Sequence, residues 1–242
     1  MKPSTPRTIL LAVAAMLLFS STVTAQIKGL CNTGQTHQTV SGCTGVLISP
    51  NVNAYGTPYL DGNWEVGFPW PSSLTGNNTP CLQELFVPTV AGPPQMGSWL
   101  SNSVSTASEW VMPDGGGYVV PTGYYIYRTT FPVPSVLPDG TVPTGVTING
   151  RLASDNATYW IYLESPAPYP TGCAIASGQT FPVNPVGGNT FQQWWPFSFT
   201  NSLPLTPGAY AYLYIIVGNG IAIYNSSASG LRVEFFDTSA FN

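Results

Sequence analysis

Apolar and polar residues alternate with a period of two in short runs that glycine and proline interrupt. This pattern confines the chain to sheet architectures. In Tyr210-Ala-Tyr-Leu-Tyr-Ile-Ile-Val217, Leu213, Ile215 and Val217 fall on one face, and Tyr210, Tyr212 and Tyr214 on the other. In Leu231-Arg-Val-Glu-Phe235, Leu231, Val233 and Phe235 share a face against Arg232 and Glu234, and in Thr158–Leu163 the alternation groups Tyr159, Ile161 and Leu163. Side chains along a strand point alternately to opposite faces, so such runs bury one face and wet the other, as antiparallel sheets do. A helix needs apolar residues every three to four positions. Beyond residue 25 only the stretch 105–111 could supply even one such turn. The Pro-rich stretches 132–143, 166–170 and 182–185 read as connections, because proline has no N–H to give a ladder. Leu203-Pro-Leu-Thr-Pro-Gly208 reads as the turn before the strand near Tyr210. The prediction is an all-β fold, an antiparallel two-sheet sandwich.

Residues 1–25 have the layout of a secretory leader. Lys2 and Arg7 precede an apolar run from Ile9 to Phe19, and Val23-Thr-Ala25 fits a small-residue cleavage site. The run is short for a bilayer span, so no membrane insertion is expected once the leader is removed. The remaining residues divide into an N-terminal extension, 26–60, packed on a sandwich, and the sandwich itself, 61–242. Removal of the leader leaves Lys28, Arg128, Arg151 and Arg232 against ten carboxylates, a net charge of −6. So acidic and lysine-poor a surface is unsuited to nucleic acid or to anionic membrane. Charged residues make up only 7% of the chain, so its polar surface is built from amides, hydroxyls and tyrosines.

All four cysteines, Cys31, Cys43, Cys81 and Cys173, follow the leader. An even number in an exported chain favours two disulfides in an oxidising, extracellular or periplasmic setting. Three pairings are open. Cys31–Cys43 with Cys81–Cys173 is preferred, because the first closes a short loop. A zinc site would lack a Cys-x-x-Cys pair and have only His37 to help.

An ordered set of short motifs runs along the chain: Asp61-Gly-Asn-Trp-Glu-Val66, Ser108-Glu-Trp110, Tyr125-Ile-Tyr-Arg-Thr-Thr-Phe131, Ile148-Asn-Gly-Arg-Leu-Ala-Ser-Asp-Asn156, Trp195-Pro-Phe197 and Gly230-Leu-Arg-Val233. Over residues 61–235 the set resembles secreted bacterial domains found in proteins with a PEP-CTERM sorting tail. Those domains are similar to the galactose-binding-like jelly roll. The resemblance implies a jelly-roll sandwich, generally without catalysis, with a role in carbohydrate binding. Two departures stand out. Leu163-Glu-Ser165 and a long insert with Cys173 replace the usual Asn-Gly strand end, and no sorting tail precedes Asn242, so anchoring by that route is not expected.

Nucleophilic catalysis needs a positioned imidazole, and the single histidine, His37, lies in a small loop between two cysteines. Glycoside hydrolysis needs only two carboxylates. Glu65, Glu109, Asp155, Glu164 and Glu234 are the nearest candidates. Sugar binding needs flat apolar rings edged by amides and carboxylates. For that chemistry the candidate ligand-binding residues are Tyr210, Tyr212, Tyr214, Trp194, Asp155 and Asn156. Trp110, Trp160 and Trp195 read as core, whereas Trp64, Trp70, Trp99 and Trp194 read as loop residues. Asp155 and Asn156 also suit a turn that caps its own backbone, or a buried ion pair with Arg151 or Arg232. Asp61 and Asn63 suit a tight turn, and are the candidate ligands for a structural calcium ion. Calcium takes about six to eight oxygens, so they would need help; no other cofactor is expected. Asn77, Asn156 and Asn225 open N-glycosylation sequons, which are incidental if the source is bacterial, as the resemblance implies.

The expected function is a secreted, non-catalytic carbohydrate-binding or matrix- or envelope-associated module, with a glycan or a cell-surface component as partner. The alternatives are a structural or protein-interaction protein of the cell exterior and, behind it, a glycoside-acting enzyme.

Overall fold

The structure, a computed structural model, describes residues 27–34, 42–43, 47–48, 59–70, 86–92, 99–105, 107–113, 120–165, 190–201, 204–219 and 226–242. Its strands are β1 (Leu47–Ile48), β2 (Tyr59–Trp70), β3 (Phe86–Gly92), β4 (Trp110–Met112), β5 (Val120–Pro121), β6 (Gly123–Pro132), β7 (Val146–Asp155), β8 (Ala157–Glu164), β9 (Trp195–Asn201), β10 (Tyr210–Asn219), β11 (Ser226–Ser227), β12 (Gly230–Phe235) and β13 (Ala240–Phe241). Among the described residues one 3-10 turn, Asn102–Val104, precedes β4. It lies upstream of the helical turn expected at 105–111, where β4 begins instead.

The fold is all-β, and every strand pairing among the described residues is antiparallel. Hydrogen bonds link eleven of the described strands into one continuous sheet in the order β13-β7-β12-β4-β3-β2-β6-β10-β8, with β1 added to β2 and β9 to β7; β5 and β11 form a separate pair. The sheet curls until its ends approach. The β7–β8 corner bonds to β10 through the Asn156 N–H and the Gly218 carbonyl, 3.1 Å apart.

The alternation expected in β10 and β12 directs this curl. Leu213, Ile215 and Val217 of β10 and Leu231, Val233 and Phe235 of β12 point into one core, with Tyr125, Tyr127 and Phe131 of β6 and Ile148 and Leu152 of β7. Trp64 crosses that core to stack on Phe235, with ring centroids 6.3 Å apart and planes 5° from parallel. Burying side chains of this size stabilises a fold by roughly 2 kcal/mol each. In β8 the register with β10 shifts opposite Ile216 and Val217, and Thr158 is buried along with Ile161 and Leu163; the Tyr159 side chain lies outside what the structure describes. Two tryptophans read as loop residues are core: Trp64 is 0% and Trp99 4% exposed. Trp110 is buried as expected, and Trp195 packs against the core edge.

Tyr125–Phe131 and Val146–Asp155 fall in β6 and β7, which are not neighbours. β6 lies between β2 and β10, and β7 beside β12, β9 and β13. The proline-rich connection therefore crosses from one wall of the curled sheet to the other. The core between these walls gives the molecule two outward faces.

Residues 27–34 are woven into the sheet. Leu30 and Thr33 are fully buried. Beyond Leu231, β12 loses its β4 partner, and Thr33 fills the seam. Its N–H bonds to the Val233 carbonyl, and its hydroxyl accepts from the Val233 N–H and donates to the Glu109 carbonyl. Gly34 follows with φ +64°, where a Cβ would also lie 2.6 Å from that of Glu109. Cys31 is disulfide-bonded to Cys43, the preferred partner, with Cα atoms 5.7 Å apart. Cys81, Cys173, His37 and residues 1–25 lie outside the described residues.

Candidate functional site

The outward face of the β2-β6-β10-β8 wall gathers aromatic rings and charged groups in register. Glu65 of β2 lies opposite Arg128 of β6, which lies opposite Tyr214 of β10; in the next row Tyr212 lies between Thr130 and Glu164. Cross-strand neighbours of this kind stand about 5 Å apart, so the row becomes a continuous set of contacts. Arg128 Nε donates to Glu65 Oε2 at 2.9 Å, and its Nη2 also reaches that oxygen. The guanidinium is stacked 3.9 Å from the Phe86 ring centre and 5.1 Å from that of Tyr212. Tyr212 and Tyr214 lie ring over ring, 6.2 Å apart and 24° from parallel. The Tyr214 hydroxyl donates to Glu164 Oε2 at 2.7 Å.

Exposure along the tyrosine row is graded: Tyr210 is 58% exposed, Tyr212 half-buried and Tyr214 2% exposed. Tyr214 belongs to a small outer cluster with Ile126 and Ile216, flanked by Phe86, Tyr124 and Tyr212. Burial, and next the Glu164 carboxylate, hold its phenol well above the usual tyrosine range. It is therefore a neutral donor to Glu164. Burial works against the charge on Arg128, but Glu65 and the Tyr214 oxygen outweigh it and hold the guanidinium above its ordinary value.

The opposite face, over β7, β12 and β4, carries tryptophans. Trp99 and Trp110 lie 4.4 Å apart, in a cluster with Met112 and Ala153 that Trp194 and Phe191 flank. Arg232, 0% exposed, points out of β12 into this layer. Its Nε donates to the Ser108 hydroxyl, and its terminal nitrogens to the carbonyls of Ser101, Ser105 and Ser108 at 2.8–3.0 Å. The cation thereby gathers the 101–108 loop. Burial lowers its pKa to about 10, opposed by Glu234 and Glu109. Arg151 Nε donates to Glu234 Oε2 at 2.8 Å. Burial disfavours the Glu234 charge, but bonds from Ser105, Ser108 and Arg151 hold its carboxyl below the usual range. The Trp194 ring receives both guanidiniums, Arg151 at 4.5 Å and Arg232 at 4.9 Å.

Asp155 ends β7 at the rim of this layer, and neither arginine is its partner. Its Oδ2 accepts from Trp99 Nε1 at 2.7 Å and its Oδ1 from Asn156 Nδ2 at 2.7 Å. Arg151 is spent on Glu234, and Arg232 on the loop, which corrects the ion pair expected from the sequence. Burial raises the Asp155 carboxyl to about 6, against the pull of the indole bond. The Asn156 backbone is held as well: its carbonyl accepts from the hydroxyls of Ser154 and Thr190. The Asp155–Asn156 pair thus turns β7 into β8.

Asp61 and Asn63 lie in an irregularity of β2, where the register with β3 shifts between Asp61 and Glu65. Asp61 Oδ2 accepts from the Gly34 N–H at 2.6 Å, and Oδ1 from the Asn63 N–H at 2.8 Å and its side-chain amide at 3.2 Å. Burial raises this carboxyl to about 6 despite those donors. The geometry on view is a turn inside a strand, strapped to the N-terminal segment. No group of three His, Cys, Asp or Glu side chains that could hold a metal occurs among the described residues.

The six candidate ligand-binding residues therefore separate. Tyr210, Tyr212 and Tyr214 lie on one outer face, and Trp194, Asp155 and Asn156 on the other. The first face also contains Phe86, Arg128, Glu65 and Glu164. Parity within Tyr125–Phe131 already turns Arg128 away from the core, but its partners depend on strand register, which one sequence does not carry.

No protein-family model matches the chain, and no curated protein sequence matches it. Among solved structures, the enzymatically active domain of bacteriophage CBA120 tailspike protein 4 aligns with 75% of this chain and 20% of that one, at 15% sequence identity and a TM-score of 0.37. The chain spans a fifth of that protein's length, and a likeness of this grade carries no argument about function.

Proposed function

We propose that the chain is a secreted, non-catalytic carbohydrate-binding module whose ligand lies on the tyrosine face, and that its curled sheet is a variant of the galactose-binding-like jelly roll. The observation that carries the reading is the juxtaposition of Tyr210 and Tyr212 with the Glu65–Arg128 and Glu164–Tyr214 pairs on one sheet face. Tyrosine rings offer flat apolar area to sugar C–H groups at small entropic cost, and fixed carboxylates accept hydrogen bonds from hydroxyls. The contacts around Arg128 set the rings before a ligand arrives, which lowers the cost of binding. The tryptophan face is read as structural, because both guanidiniums already occupy the Trp194 ring. Among the candidate acids, Glu65, Glu164, Asp155 and Glu234 all hold side-chain partners, which favours binding over hydrolysis.

Export is supported by the Cys31–Cys43 disulfide, a bond favoured in oxidising compartments. No helix among the described residues is long and apolar enough to cross a membrane.

The experiment is a pull-down on a panel of insoluble polysaccharides, run beside sedimentation of the free protein over a range of concentrations. Retention on at least one polysaccharide by a monomer is expected. No retention, together with concentration-dependent assembly, would assign the tyrosine face to protein–protein packing and end the proposal.

A further inference from the structure

We infer that the ligand of the tyrosine face is a donor-rich, non-anionic glycan, a neutral or amine-bearing polysaccharide rather than a uronate or sulfated one; this rests on the binding role proposed above. The argument starts from how the charged groups are spent. Glu65 keeps only Oε2 in its bond to Arg128, and Glu164 keeps only Oε2 in its bond to Tyr214. Each carboxylate therefore has its Oε1 to present as an acceptor, and the Glu65 side chain is 40% exposed. The cationic donor of the same face, and the buried Tyr214 hydroxyl, are turned inward. Arg128 gives Nε and Nη2 to Glu65 and is stacked between Phe86 and Tyr212, with its side chain only 14% exposed. Tyr214 gives its proton to Glu164.

The charged groups that remain open on this face are therefore acceptors, and the donors beside them are the neutral hydroxyls of Tyr210 and Tyr212. Two carboxylates against one guanidinium also leave it one negative charge in excess. An approaching anion would meet that charge without a cation to bind, at a cost that grows as the site dries. Hydroxyls and ammonium groups, by contrast, supply the donors that both Oε1 atoms lack.

The rest of the molecule does not compensate. Beyond residue 25 the chain has four cationic side chains, all among the described residues. Arg128 and Arg151 are paired with Glu65 and Glu234. Arg232 is fully buried, its donors spent on Ser108 and the loop carbonyls. Lys28 is exposed and has no ion pair among the described residues, and it belongs to the N-terminal segment rather than to this face. A negative surface with so few available cations slows the approach of polyanions and favours cationic or neutral chains.

The test is affinity electrophoresis and calorimetry of the full chain with three probes: a soluble β-glucan, a chitosan oligosaccharide and polygalacturonate, each at low and at moderate salt. The wild type is expected to bind the glucan, the chitosan oligosaccharide or both, and to leave polygalacturonate unbound at either salt. If chitosan binds, Glu164→Gln, which keeps an acceptor for Tyr214 and removes the unpaired charge, weakens it about threefold or more while glucan binding stays within about twofold. Thermal melts of each variant confirm the fold. Tight binding of polygalacturonate that Tyr212→Ala abolishes would overturn the ligand class and leave the binding face intact. Failure to bind all three probes and the wider polysaccharide panel would overturn both.

Discussion

Replacing Asp155 with asparagine should make the protein more stable at neutral pH. Asp155 is 5% exposed, has no cation beside it, and has its carboxyl raised to about 6 by burial. In the unfolded chain the same group titrates at about 3.9. Folding therefore makes it an acid roughly a hundredfold weaker, and each factor of ten corresponds to about 1.4 kcal/mol. The native state thus loses roughly 3 kcal/mol once the group is ionised on both sides of the equilibrium. Because the folded value lies above the unfolded one, the native state holds the proton longer. Stability from this group is greatest below about pH 4, falls as pH rises towards 6, and is level above about 7. The Asp155→Asn side chain keeps an oxygen for Trp99 Nε1, turns its Nδ2 to the Asn156 side chain, whose amide flips to present its oxygen, and carries no charge. The assay is guanidinium denaturation followed by tryptophan fluorescence, from about pH 4 to 7.5, on wild type and variant. The two should agree to within about 1 kcal/mol at pH 4, with the variant gaining up to about 3 kcal/mol by pH 7. Asp61 titrates in the same window, so the difference between the two proteins, rather than the wild-type slope alone, isolates Asp155. Parallel curves with a constant offset would refute the buried, uncompensated charge.

The other expectations concern the fold around the two faces. Arg232→Met strips the donors from the carbonyls of Leu100, Ser101, Ser105 and Ser108 and from the Ser108 hydroxyl, and should cost about 3–5 kcal/mol in chemical denaturation, with Arg232→Lys restoring less than half. Thr33→Val removes the hydroxyl that closes the β12 seam, and should cost about 2 kcal/mol by the same assay. Reduction of the Cys31–Cys43 bridge frees a loop of sequence separation 12 and should lower stability by about 2–3 kcal/mol, measured on wild type and Cys43→Ser with and without reductant.

The all-β, antiparallel class was legible because period-two patterning survives in any sheet that buries one face, whereas the linking of eleven described strands into one continuous curled sheet, where two packed sheets are expected from the sequence, was not. β10 and β12 follow it residue by residue, and the proline-rich stretch 132–143 supplies the crossing between β6 and β7. Several features resisted reading for physical reasons. Trp64 and Trp99 look like loop residues because glycine, asparagine or serine flanks them, yet tertiary packing buries both. The register shift in β8 has no glycine in that strand to mark it. Arg232 was expected to meet a carboxylate, because buried guanidiniums usually do; instead loop carbonyls satisfy it, and backbone acceptors leave no trace in a sequence. The candidate site was half visible. The tyrosine row announces itself by alternation, but Phe86, Glu65, Arg128 and Glu164 join it only through strand register, a property of pairing between distant segments.

Calorimetric titration of the best-retained oligosaccharide into wild type, Tyr212→Ala and Trp194→Ala tests the central claim most directly, because the two substitutions lie on the outer sides of opposite walls of the curled sheet. Ligand on the tyrosine face predicts that Tyr212→Ala weakens binding about tenfold or more, a loss of about 1.4 kcal/mol, while Trp194→Ala stays within about twofold. The reverse ranking, or binding indifferent to both, would contradict it.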